Sequence, residues 1–194
     1  MSAMHESTGC EETLVNAVIR GPLLDAYLDE VEALADEPGE GSNDEASGVE
    51  TLQAKLAAML GRQHCEADSM DSLRRLYRLY LRAGDTTMAL HVIDIQGAGL
   101  CSVLPEEERA EAGVSLAFWR LHALQAKHRE TPQSLPGGDA AAVAETARLL
   151  DALPVDRQSD DAWACLADYA EEADNHTLVR QCCNKRHALA ALQP

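Results

Sequence analysis

Cys182, Cys183 and His187 sit within one predicted helix near the C-terminus, and His176 lies about one and a half turns before Cys182. A four-residue interval places Cys183 and His187 on one helical face, as zinc ligands would require. Zinc takes four such ligands in a tetrahedron, and no second pair stands at a suitable spacing. Cys182 and Cys183 are therefore expected to be small buried residues and His187 to be solvated. No metal is expected there, and a Cys/His-dependent metal or redox regulator is the alternative. His64 and Cys65 suggest a base beside a nucleophile, but neighbours on a helix point about 100° apart and do not meet.

A second constellation is cationic. Arg74, Arg78 and Arg82 recur at every fourth residue, so three guanidiniums line one face of a single predicted helix, with Arg75 beside them. The formal net charge is −17, so the expected partner of this row is internal: the acidic N-terminal third or the 36–50 stretch. An external anionic ligand or an acidic peptide is the alternative. Tyr77 and Tyr80 complete the candidate partner-binding set. Carboxylates abound, but there is no glycine-rich phosphate loop, nucleophile elbow or His-Glu-x-x-His. Neither catalysis nor a cofactor is expected. An enzyme whose site follows none of these patterns remains a further alternative.

The elements that must position these groups are helices. After ten residues expected to be disordered, Leu14, Val15, Val18 and Ile19 recur at helical spacing until Gly21-Pro22 stops them. Pro22 suits the first position of the next helix, which carries Leu23, Leu24, Tyr27, Leu28, Val31 and Leu34 to about Ala35. Residues 36–50 hold six acids, three glycines, one proline and no base, the signature of a mobile linker. A helix with Leu52, Leu56, Met59 and Leu60 follows. Ser69 is placed to cap another, whose apolar face is Leu73, Leu76, Tyr77, Tyr80 and Leu81 up to Ala83-Gly84. Across a short turn at Asp85-Thr86, Met88, Ala89, Val92, Ile93 and Ile95 form a partner helix that Gly97 and Gly99 end. So short a turn makes the two antiparallel.

Pro105 and Glu106 to Glu108 start a helix running through Val114, Leu116, Phe118, Trp119, Leu121 and Leu124 to about His128, because acids suit the positive end of the helix dipole. Beyond a Pro/Gly-rich loop, Asp139 caps a helix with Val143, Leu149, Leu150 and Leu153. Ser159 or Asp160 opens one with Trp163, Leu166 and Tyr169, and a break at 173–175 leads to the last, from about His176 to Leu192. These assignments divide the chain into acidic helices over 11–60, with the loop 36–50 between them, and a helical domain over 69–192.

Composition agrees. Apolar residues make up 46% and aromatics 4%, so the core must come from Ala, Leu and Val, which suits packed helices better than sheets. The fold class is all-α, with about eight helices. Residues 1–71 hold 16 acids and 3 bases, so the charge is concentrated there. Such a field opposes nucleic acid and anionic lipid and favours a cationic partner. Apolar runs are too short for a membrane span, and Met1 to Glu12 is acidic rather than signal-like. Six cysteines without a Cys-x-x-Cys suit a reducing compartment, and a cytoplasmic location is expected.

Leu28, Leu73, Trp119 and Trp163 recur at intervals of about 45 residues, the period of stacked helical hairpins. Leu73, Trp119 and Trp163 are the expected core anchors. Residues 70–95 resemble a tetratricopeptide repeat through Leu73, Leu76, Tyr77, Tyr80, Gly84-Asp85, Ala89-Leu90 and Ile93. Residues 160–190 resemble one more loosely, through Trp163, Leu166, Ala167, Ala170, Asp174-Asn175 and Val179. Tyr77 and Ala167 depart from that family's small glycine, no proline closes the first repeat, and the middle pair has too long a loop. The resemblance implies stacked antiparallel hairpins, as in a short α-solenoid, and a protein-binding scaffold, adaptor or chaperone. Secretion chaperones and toxin-neutralising proteins are of this kind. The expected partner is another protein, basic or presenting an amphipathic helix.

Overall fold

Apolar residues at helical spacing decide most of the secondary structure. The computed structural model describes residues 19–36, 65–130 and 137–192. The first ten residues, the linker beyond Asp36 and the helix expected over 52–60 lie outside them. Contacts fall into two units that divide between Leu100 and Cys101. The helical domain expected over 69–192 is thus two units, and the helix after Pro22 belongs with the first.

That helix is α1, Pro22–Asp36. It buries Leu24, Leu28 and Val31 and leaves Leu23 and Tyr27 exposed. Ahead of it, Ile19–Arg20 (β1) pairs in parallel with Cys65–Glu66 (β2), Ile19 opposite Cys65. The helix expected to run to Ile19 is corrected at that end. Ile19 and Cys65 are both buried, and the positive φ of Gly21 (+56°) turns the chain from β1 into α1.

α2, Met70–Arg82, is capped by Ser69, whose Oγ accepts from the Ser72 amide at 3.1 Å. Its buried face is Ser72, Leu73, Leu76, Tyr77, Leu79 and Tyr80, so Leu79 takes the place expected of Leu81. Ser72 Oγ donates to Asp25 Oδ1 at 2.8 Å, tying α2 to α1. Gly84, at φ +75°, reverses the chain, and Asp85 caps α3, Thr86–His91, by accepting from the Met88 amide at 2.9 Å.

Gly97 and Gly99 do not end this helix. It widens into a π-helical segment, Val92–Gly97, and continues as α4, Ala98–Val103. Within the widened segment, Gln96 Nε2 donates to the Cys65 carbonyl at 2.5 Å and Gln96 Oε1 accepts from the Ala67 amide at 2.9 Å. The irregular turn therefore supports the β2 strand, while Ile95 faces solvent at 61% exposure.

The second unit is built from α5 (Glu106–Glu130), α6 (Gly137–Asp151), α7 (Asp160–Glu172) and α8 (His176–Ala190). Consecutive helices pack on one another. Their common core comprises Val114 and Leu121 of α5, Val143, Ala147 and Leu150 of α6, Leu153 just after it, Trp163, Leu166 and Ala170 of α7, and Leu178 and Cys182 of α8. Arg157, in the turn Val155–Arg157, pins that turn to α5 through the Glu107 carbonyl (3.2 Å) and Glu111 (3.0 Å). Two-residue strands aside, the described residues fold as helices, and the class is all-α.

Candidate functional site

The arginine row divides when it folds. Arg75, not the three-residue row, meets the acids of α1. It lies 2.5 Å from Asp29, 3.1 Å from Glu32 and 3.9 Å from Asp25, with its side chain 15% exposed. Asp25, Asp29 and Glu32 recur at helical spacing on one face of α1, so a single guanidinium is held by one carboxylate stripe. Burial pulls the Arg75 pKa down, but the hydrogen bonds to Glu32 and Asp29 outweigh it and set it above the ordinary value. Among the described residues, the acids of the N-terminal third thus meet the arginine beside the row, while the 36–50 stretch, the other internal partner expected, lies beyond Asp36 outside them.

Arg74, Arg78 and Arg82 remain exposed. Among the described residues, none of the three has an ion-pair or hydrogen-bond partner. With Asp71, Arg75 and Leu79 of α2 and Leu28, Val31 and Glu32 of α1, they line an open cleft of about 420 Å³. Its floor is apolar but already covered: Leu28, Val31 and Leu79 are each under 5% exposed. What the cleft offers is charge.

Tyr77 and Tyr80, expected beside the arginines at the partner surface, are instead buried at 3% and 1% exposure. They fall on the apolar face of α2 with Leu73 and Leu76, so a partner could not reach them with the fold intact. Burial pushes the Tyr80 phenol up, as do neighbouring Cys65 and Asp85. Leu73 and Trp163 are fully buried; Trp119 is only half-buried, and in α5 the buried positions are Ala112, Val114, Leu121 and Ala123. Trp119 is corrected as a core anchor, because Leu121 takes the inward position.

The cysteines separate as well. Cys182 is buried in the core of the second unit and Cys183, one residue on, is exposed. Burial raises the Cys182 thiol above its ordinary value. Cys183 and His187 share an exposed cleft with Asp160 and Arg186, which already pair through two hydrogen bonds of 3.0 Å. That pairing holds the Asp160 carboxyl below the usual range. Among the described residues, no group of three or more His, Cys, Asp or Glu could hold a metal. Cys65 is buried in β2 and its thiol is pushed up to about 11 by desolvation, the reverse of what a nucleophile needs.

A smaller cleft of about 290 Å³ opens between α5, α6 and α7, with Leu121, Val143 and Tyr169 as floor and His128, Arg129 and Glu172 at its rim. Gln125 Nε2 donates to Glu172 across it, and burial pushes the Tyr169 phenol up to about 12. Among the described residues no helix is long and apolar enough to cross a membrane. No protein-family model, curated protein or solved structure matches the chain.

Proposed function

We propose that this chain is a non-enzymatic helical scaffold, an adaptor or chaperone, that holds a segment of another protein. The observation that carries the reading is the exposed row Arg74, Arg78 and Arg82. These are three long cationic side chains without a partner among the described residues, held in line by a helix that is capped at one end and packed on two sides. A row that a rigid element presents and no described residue engages suits recognition better than packing. The tetratricopeptide-like turn chemistry of α2–α3 and α7–α8 supports the same reading. Five described cysteines are free thiols, in keeping with the reducing cytoplasm we assign to it.

Photo-crosslinking from position 78 of the full-length chain, in its own cells, tests this. A discrete adduct of one partner polypeptide is expected there and not from the exposed control position Glu108. The same diffuse ladder from both positions, or no adduct from 78, would sink the proposal.

A further inference from the structure

We infer that the row Arg74, Arg78 and Arg82 docks an acidic helical segment of the partner, one whose carboxylates recur at every fourth residue. The inference rests on the scaffold reading and adds the partner's chemistry. It also reverses the sign expected from net charge alone: the chain as a whole is −17, yet four bases and two acids line this cleft.

Among the described residues, Asp29 and Glu32 of α1 are already engaged by Arg75. Nor does the hairpin need the row in order to fold. α7 has the same length as α2, with the same serine cap and the same turn. In α7 the positions equivalent to Arg74, Arg78 and Arg82 are Ala164, Asp168 and Glu172, counted from the capping serines. One helix geometry thus carries a cationic row in one unit and an acidic one in the other. The charge at these positions is free to serve recognition.

Spacing selects the partner's form. Residues four apart on a helix stand about 6 Å apart along its axis, so the row extends over about 12 Å. A helix lying alongside with glutamate or aspartate at every fourth residue repeats the same interval. Each guanidinium can then fork onto a carboxylate. A single phosphate cannot span such a row. A nucleic acid would bring a continuous run of phosphates against the acidic remainder of the chain, whereas a short helix brings only the carboxylates that fit.

Fluorescence anisotropy at low salt, with the full-length chain and a labelled alanine-based helical peptide bearing glutamate at every fourth residue, tests the inference. Saturable binding is expected, weakening as salt rises, and about tenfold weaker in the variant with Arg74→Glu and Arg78→Glu. Arg82 is left in place because a cation in the last turn also stabilises the helix end. Circular dichroism and the melting temperature of the variant should match the parent, since both side chains are exposed. Should the variant fold poorly, a peptide of the same composition with its glutamates out of register, tested on the parent chain, keeps the question open to refutation; it should bind several-fold more weakly.

Equal binding of the two peptides, or by parent and folded variant, would overturn the inference. Displacement of the peptide by a lower concentration of a short oligonucleotide would overturn it in favour of nucleic acid. Salt-sensitive self-association of the parent chain in sedimentation, lost on Arg78→Glu, would overturn it in favour of a second copy, docking through Asp168 and Glu172. If position 78 crosslinks a partner in cells but no acidic peptide is preferred, only this inference fails. If the peptide binds in register but nothing crosslinks, the scaffold reading fails instead.

Discussion

The hairpin of α2 and α3 and the hairpin of α7 and α8 are two versions of one local design. Each opens on a serine whose hydroxyl accepts from the third amide beyond it. Each first helix is 13 residues long and ends on an alanine cap, Ala83 or Ala173. A residue at positive φ then turns the chain, Gly84 at +75° and Asp174 at +55°. Asp85 or Asn175 caps the second helix through its side-chain oxygen. Leu73 corresponds to Trp163 and Leu76 to Leu166, and all four are fully buried. The hairpins part company beyond the turn. α8 is a regular helix of 15 residues, whereas α3 widens after six into a π-helical segment so that Gln96 can reach the β2 backbone. Their outer faces differ in sign. Capping and core positions are therefore shared requirements of the hairpin, while its regularity and its surface charge answer to what each hairpin touches.

The strongest way to break this equivalence is to empty the matched core positions. Trp163→Ala is expected to cost about 3–5 kcal/mol and Leu73→Ala about 3 kcal/mol. Trp163 also loses its hydrogen bond to Gln158 at 3.2 Å and the Lys185 ammonium 5.9 Å from its ring. Trp119→Ala should cost distinctly less than Trp163→Ala. Denaturant melts measure all three, and equal losses for the two tryptophans would contradict the packing described for α5.

The turns come next. Gly84→Ala has open space for its methyl group but keeps a strained φ, so a loss of about 1 kcal/mol is expected. At the equivalent position Asp174→Gly should be neutral or stabilising by a few tenths of a kcal/mol, about the strain relieved less the added chain entropy. The same sign for both substitutions in thermal melts would show that the turns are not equivalent.

Arg75→Ala separates the buried arginine from the exposed row. The substitution should destabilise by about 1 kcal/mol, since its partners Asp29 and Glu32 are largely solvated. Arg78→Glu should leave the melt unchanged. A larger loss for Arg78→Glu would mean that the row is structural.

A pH dependence through Cys65 tests the packing of the first unit. Burial raises the folded Cys65 pKa from 9.0 to about 11, so folding favours the neutral thiol. Its contribution is fully present below 9.0 and is lost as pH climbs to about 11. The melting temperature should fall over that window, and less steeply after Cys65→Ala. Parallel curves for the two proteins would show that Cys65 does not titrate as its burial implies.

Much of the fold was legible before folding was considered. Ser69, Pro22, Gly84-Asp85 and the break at 173–175 act through their own backbone and nearest neighbours, so each boundary could be read locally. Two features at the site were not legible. Arg74, Arg75 and Arg78 are chemically alike, and only the approach of α1 decides that Arg75 is enclosed while the other two stay in water. Tyr77 and Tyr80 carry a polar tip on an apolar body, and that ambiguity is resolved only by what covers them.

The amino-acid order by itself determined that this protein is helical, where most of its helices begin and turn, and that three arginines share one face, because caps, glycines and four-residue spacing act over a few residues. The tertiary structure alone decided which arginine is neutralised, which tryptophan lies in the core, and that a glutamine in a widened turn holds a two-residue strand. Those outcomes depend on contacts between residues distant in sequence, and no local pattern encodes which distant neighbour arrives.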